Sequence, residues 1–394
     1  MANRDHLLVV TLSLLCVFAQ SHQISAQLNS VRYIGGSDFI YIVKTDGSVT
    51  GFGNEDRDGG LRSGGRGMAT PQPLAFPGKV RHIESGSDMH FALLEDGRVL
   101  AWGMNDRGQF GSGPGSSRTP ENPLRTATPI VVPLPKDIVQ IAAAGHFGIA
   151  VRSNGAVLAW GEHPAAENLS DVAIVTIQNL PSVSSIDAGE RHVLALTKDG
   201  KVYGWGDNKN GQLGVEPTDQ LRRSRKPILV SGLQNVVSIA AQGSTNFGFS
   251  GAVKADGTVW MWGSNQSATM GTPLFWGNNG PPGTVNASPT KVVGITNSRS
   301  IVSGNGHVAV LLADKTLRLW GHDGWGQIGV GTSGFYHPSP KKPAITNVAA
   351  VYAIANRTFA VKTDGTLWWW GVAPSRVGGP YGRDGKVPMQ IAQF

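Results

Sequence analysis

Cysteine is almost absent from this chain of 394 residues: Cys16 is the only one. A disulfide framework is therefore excluded, and stability has to come from burial. Past residue 27 no apolar run is long enough to span a bilayer. Amphipathic helical patterning is also missing. So are the signatures of several chemistries: there is no G-x-S-x-G elbow, no P-loop and no H-E-x-x-H pair. The ten histidines do not cluster, although a metal site needs several ligands converging on one ion. No catalytic residue, cofactor or metal is expected.

What the chain does have is turns. Its 53 glycines and 23 prolines, with 40% hydrophobic residues, describe a turn-rich β protein with ample core. Residues 1–27 stand apart: Arg4 precedes a nearly unbroken apolar run from Leu7 to Ala19, followed by small and polar residues. This reads as a secretory signal peptide, leaving 28–394 as one domain of a secreted (extracellular or periplasmic) protein. Cys16 lies inside it. The formal charge of +7 is scattered over the chain, with one dense cluster at Arg222, Arg223, Arg225 and Lys226. That cluster reads as a solvated loop, and nucleic acid is not an expected partner.

The chain repeats itself seven times. Tight-turn dipeptides stand at Asp46-Gly47, Asp96-Gly97, Asn154-Gly155, Asp199-Gly200, Asp256-Gly257, Asp314-Lys315 and Asp364-Gly365. Such turns need positive φ and match strand twist, so each marks a hairpin. Six residues beyond each turn's first residue comes an aromatic followed by glycine: Phe52, Trp102, Trp160, Trp205, Trp262, Trp320 and Trp370. A fixed offset implies a structural aromatic buried between repeats. Upstream of each hairpin lies a strand candidate with apolar residues three apart, as in Val183/Ile186, except in the sixth repeat, where Ser298 replaces the first and Ile301 is kept; a proline-led strand often comes before that. Four short strands per repeat predict an all-β, seven-bladed β-propeller of four-stranded antiparallel blades. The first repeat lacks a proline-led strand ahead of Val31, and Val387 to Phe394 is left over at the end. The C-terminal strand is expected to complete the first blade beside Val31 to Ile34 and so close the ring.

Gly189, His192, Ala195, Leu196, Trp205 and Gly211 to Gly214 together resemble the repeat of the regulator of chromosome condensation family. Gly304, His307, Trp320 and Gly326 to Gly329 match nearly as well, and Gly86, Trp102 and Gly108 to Gly111 match with His90 shifted by one. The resemblance departs in the third repeat, where Glu162 to Asn168 replaces the G-Q-L-G loop. It departs again in the seventh, where Ile354 and Arg357 replace Gly and His. It implies a seven-bladed propeller and says little about function, since one fold hosts many jobs. The family's best-known members exchange guanine nucleotide on a small GTPase inside the nucleus, which the signal peptide opposes. Secreted bacterial relatives include propellers that inhibit β-lactamases, an analogy of fold and compartment.

The loops after Trp-Gly vary in length and should share one face of the disc. Their aromatics, Phe275 and Trp276 in one insertion with Trp325 and Tyr336 in the next, are candidate anchors for a protein partner. The expected function is a monomeric, non-catalytic module that binds or inhibits a protein partner. A polysaccharide or anionic-polymer binder using Arg222, Arg223 and Arg225 is the alternative. An exchange-factor role stands only if the chain is not secreted. Sequons occur at Asn168, Asn265, Asn286 and Asn356, with Asn286 expected in a long loop.

Overall fold

The computed structural model describes residues 31–53, 68–111, 124–166, 173–243, 247–271, 285–332, 334–373 and 384–391. These form seven four-stranded antiparallel sheets, each contiguous in sequence. Blade 1 shows the pattern: an inner strand Val31–Gly36, a second Phe39–Lys44, a third Val49–Gly53 and an outer Met68–Leu74. The seven-bladed reading is borne out, and no described residue lies in a helix.

The three-residue spacing of the inner strands has a local cause. Each carries an irregular step near its start, such as between Val31 and Tyr33 or between Val183 and Ser185. A bulge of this kind adds a residue to one strand, so residues three apart point to the same side. Val80 with Ile83, and Val183 with Ile186, are buried as a result. Second strands are buried along nearly their whole length, because neighbouring blades cover both faces.

The core is divided into seven apolar clusters, one at each contact between adjacent blades. Phe52, Trp102, Trp160, Trp205, Trp262, Trp320 and Trp370 are all fully buried, as the constant offset required. Several indoles reach back into the preceding blade. Trp160 Nε1 donates to Gln109 O (2.8 Å), Trp262 to Gln212 O (2.9 Å) and Trp320 to Thr269 O (2.7 Å). Those carbonyls belong to the G-Q-L-G loops or their equivalent, which explains why loop and tryptophan recur together. Trp205 Nε1, behind the third repeat that lacks the G-Q-L-G sequence, finds no acceptor among the described residues, and neither does Trp370 Nε1, where Gln327 O accepts from Thr358 Oγ1 instead.

Ring closure differs from the sequence expectation. Gly385–Ile391 pairs with Leu367–Gly371 in its own blade, with Leu367 opposite Ile391 and Trp369 opposite Met389. The first blade is not short of a strand: Met68–Leu74, reading MATPQPL, pairs with Val49–Gly53. The proline-led strands therefore follow their hairpins instead of preceding them, since the third strand is the nearest free partner. The ring closes through side chains. Ile34, Ile40, Ile42 and Phe52 of blade 1 pack with Phe359, Val361, Leu367 and Trp369 of blade 7. Arg357, which takes the repeat's histidine position opposite Gly371, donates to Ser37 O of blade 1 (2.7 Å) and to Val372 O of its own blade (3.2 Å). Asp38 lies 3.7 Å from the same guanidinium.

Prolines blunt the outer edges. Pro71, Pro129, Pro227, Pro289, Pro338 and Pro388 each lie in an outer strand, where a missing N–H weakens pairing with another chain. The outer strand of blade 3 is only Val175–Thr176.

Two substitutions test these seams. Trp160→Phe and Trp205→Phe remove the same atoms, but only the first strands a carbonyl, so it should cost roughly 1–2 kcal/mol more in urea unfolding. Equal losses would show that the indole bond adds nothing. Arg357→Ala removes a buried cation with its bonds to Ser37 O and Val372 O, so it should cost about 1–3 kcal/mol. A loss under about 1 kcal/mol, within ordinary surface scatter, would leave closure to apolar packing alone.

Candidate binding face

Within a blade the four strands alternate in direction, and the chain reverses three times. First-to-second turns and third-to-outer loops therefore share one face of the disc, while the Asp-Gly turns and the links between blades share the other. Hydrogen bonds tie five of the seven tight turns to the start of the next blade's inner strand, as when Gly47 O accepts from Val80 N (2.9 Å) and Gly200 O from Val236 N (3.0 Å).

The loop face is built by a recurring polar residue just after Trp-Gly. Side-chain oxygens of Asn105, Asn208, Asn265 and Asp323 accept from the N–H five residues on, at 2.8–3.0 Å. Gln109, Gln212 and Gln327 then accept from the N–H two residues before themselves, at 2.7–2.9 Å. In blade 6 the aspartate's second oxygen takes a bond from His337 Nε2 at 2.8 Å. These loops are self-capped and rigidly placed.

Where blade 3 lacks this loop, a cleft of about 320 Å³ opens toward blade 4. Arg107, Glu162, Pro164, Arg191, Lys209 and Arg223 are among the residues that line it. Arg223 Nη2 donates to Pro164 O at 3.0 Å, and Arg107 pairs with Glu162 on the opposite wall. Partial desolvation, and then the neighbouring Arg225, lower the Arg223 pKa from its ordinary value. Asp207 and Glu162 partly offset this. Arg222 also borders the cleft, with Asp219 at 3.4 Å, while Arg225 is exposed beside it on the same outer strand.

The aromatic candidates lie two blades away. Trp325 is 47% exposed at the tip of the blade 6 loop, and Tyr336 is half-buried with its ring edge-on to His322. Phe335, which the sequence reading passed over, is 77% exposed and its carbonyl takes a bond from Asp323 N (2.9 Å). Its position between Gly334 and an outer strand was the available signal. Phe275 and Trp276 lie outside the described residues, as does Asn168. Among the described residues the candidates thus fall in two places, a cleft where Arg107, Arg191, Lys209, Arg222 and Arg223 outnumber Glu162, Glu190 and Asp207, and an aromatic corner. Asn286 is not in a loop: it lies in Val285–Lys291 with its amide donating to Thr290 Oγ1 (3.0 Å). Asn265 is buried.

The repeated histidines are structural. His192 Nε2 meets Ser250 Oγ (3.0 Å) and His307 Nε2 meets Thr358 Oγ1 (3.1 Å), each across a blade boundary. Burial lowers their pKa values to about 4 and about 3, so both are neutral at pH 7. His90 stands one position along its strand and stacks on Trp102.

A central bore of about 560 Å³ runs between the inner strands. Glu84 and Asp187 line it. Tyr33 donates its hydroxyl to Glu84, and Ala241 N donates to Asp187 at 2.8 Å. Burial raises Glu84 to about 8 and Asp187 to about 6. Both side chains keep some access to the bore.

Two models of the Regulator of chromosome condensation (RCC1) repeat match the chain, one over residues 80–109 and 183–212, the other over 96–151, 199–246 and 256–311. The chain carries RCC1 repeats. Among curated proteins, pim1 of Schizosaccharomyces pombe is 28% identical over 81% of this chain and 64% of its own length. The ultraviolet-B receptor UVR8 of Arabidopsis thaliana is 25% identical over 77% of this chain and 68% of its own. Human HERC2, an E3 ubiquitin-protein ligase, is 27% identical, but this RCC1-repeat chain spans only 7% of it. The chain spans less than two thirds of the length of the first of these relatives. Among solved structures, Prp20p of Saccharomyces cerevisiae superposes with a TM-score of 0.74 at 22% identity, covering 94% of this chain and 89% of that one. Human WBSCR16 gives 0.72 at 19% identity, covering 88% and 94%. These structural likenesses establish the fold.

The bore yields a pH test. Glu84 in the folded chain holds its proton up to about pH 8, while the unfolded chain releases it near 4.5. Its contribution to stability is therefore complete below about 4.5 and is lost as pH rises toward 8. Glu84→Gln should gain on the parent chain steadily between those limits in urea melts. A constant difference across that range would show that Glu84 is ionised in the fold.

Proposed function

We propose that this RCC1-repeat chain is an exported, non-catalytic binding module that holds a protein partner on its loop face. The observation that carries the reading is the pairing, on one rigid face, of the basic cleft at Arg107, Arg191, Lys209 and Arg223 with exposed Trp325 and Phe335. A protein offering acidic side chains at one point and an apolar pocket at another would satisfy both. Aromatics and arginine are the usual energetic centres of such interfaces. Relatives of this fold are described as partner-binding proteins: Prp20 has been solved with Kap60, and Prp20p is described by its binding to Gsp1p and histones. Export rests on Arg4 and the Leu7 to Ala19 run. An acidic polysaccharide is the second reading, favoured by the cleft alone.

The test is affinity capture from the source's culture medium and cell extract with the parent chain, Arg223→Ala and Trp325→Ala. Each variant should bind the recovered partner about thirtyfold more weakly, the equivalent of about 2 kcal/mol. Lys198→Ala, on the other face, should bind it unchanged. Undiminished capture by both loop-face variants would remove this face from consideration. Displacement by an acidic polysaccharide without any protein recovered would favour the second reading.

A further inference from the structure

The fold sorts charge that looks scattered in the sequence. Four second strands end in a cation on the Asp-Gly side of the disc: Lys44, Arg152, Lys254 and Lys362. The tight turns and the strand just past one of them add Arg98, Lys198, Lys201, Lys315 and Arg318. Links and outer-strand ends contribute Lys79, Lys136, Lys291, Lys341 and Lys342. The second positions of inner strands add Arg32, Arg81 and Arg299. Against these seventeen cations stand eight carboxylates, Glu95 and seven aspartates, leaving +9 on one face among the described residues, more than the +7 of the whole chain.

The carboxylates are occupied. Asp46, Asp256, Asp314 and Asp364 accept from the N–H two residues on, at 2.8–3.0 Å. Asp137 pairs with Arg152 (3.0 Å) and Glu95 with Arg32 (2.8 Å). Lys136, Lys198, Lys291, Lys315, Lys341 and Lys342 are exposed and make no ion pair among the described residues.

Two further features narrow the partner. The face is flat: every second-to-third connection has four residues, and the links between blades have five or six. It also exposes aliphatic side chains amid the lysines. Val139 and Val237, at the second positions of inner strands, are 42% and 52% exposed, Val293 in a link is 77%, and Val131 and Leu229 end outer strands at 54% and 42%. A soluble polyanion would use the charge but gain nothing from the valines. A bilayer with anionic headgroups uses both, because cations are drawn to its surface and apolar tips enter the acyl boundary.

We propose that the Asp-Gly face docks flat on an anionic lipid bilayer. No helix among the described residues is long and apolar enough to cross a membrane, and docking of this kind requires none. It is independent of the loop-face reading, since it uses neither the cleft nor Trp325.

The experiment is co-sedimentation of the full chain with phosphatidylcholine vesicles, with and without about 30% phosphatidylserine. The chain should pellet only with the anionic vesicles, and binding should fall at least tenfold as salt rises from about 0.1 to 0.5 M. The fourfold variant Lys136→Ser, Lys198→Ser, Lys291→Ser, Lys342→Ser should lose tenfold or more. Val237→Ser with Val293→Ser should lose threefold or more at fixed salt, and Trp325→Ala should bind as the parent does. Thermal melts within a few degrees of the parent would confirm that the variants fold. Failure to pellet with anionic vesicles, or equal pelleting with neutral ones, would overturn the proposal. So would indifference to the valine changes together with full displacement by heparin, which would make the ligand a soluble polyanion.

Discussion

The structure depends on a seam between neighbouring blades. A blade alone cannot bury both faces of its second strand; a ring of blades can, provided that each fits the next. The fit is made by the third-strand aromatic, which fills the gap and, in several blades, donates its indole N–H to a carbonyl in the preceding blade's loop. Burial supplies the driving force, and the hydrogen bond fixes the orientation at little net gain but at real cost if unmade. The histidine bridges to Ser250 and Thr358 do the same work deeper in the sheet. Loop and core thus meet at the seam, although not at every one: among the described residues Trp205 and Trp370 leave their indole N–H without an acceptor, the second behind an intact loop whose Gln327 O accepts from Thr358 Oγ1 instead.

Beside the third repeat, which lacks that loop, opens the cleft in which Arg223 reaches Pro164 O.

Much of this was legible in the sequence, for definable reasons. Asp-Gly turns and the six-residue offset to tryptophan are local signals, so blade number, hairpins and buried aromatics could be read directly. Strand partners across a loop are not local. The proline-led strands were assigned to the wrong side of their hairpins, and Met68–Leu74 was passed over because two prolines disguise it. Arg357 looked like a lost histidine, though it serves as a clamp between blades 7 and 1. Of the candidate face, Trp325 and Arg223 carry a signal in the sequence and Phe335 carries a weaker one, and nothing in the order of residues shows that lysines spaced across seven repeats share a plane. Charge sorting comes from alternating strand direction, which acts only once the disc is assembled.

Closure without strand exchange bears on how the molecule is made. Six of the seven seams join blades that are consecutive in sequence, so they can form progressively as the chain grows. The seventh joins residues 320 positions apart, as in the bond from Arg357 to Ser37 O, and it must await the whole chain. Loop-closure entropy rises only slowly with length, yet contacts of such separation come late and slow the final step. Until then an open spiral exposes two unpartnered blade faces, each lined with the apolar residues of one cluster. The interval before the ends meet is when this protein is most vulnerable to aggregation.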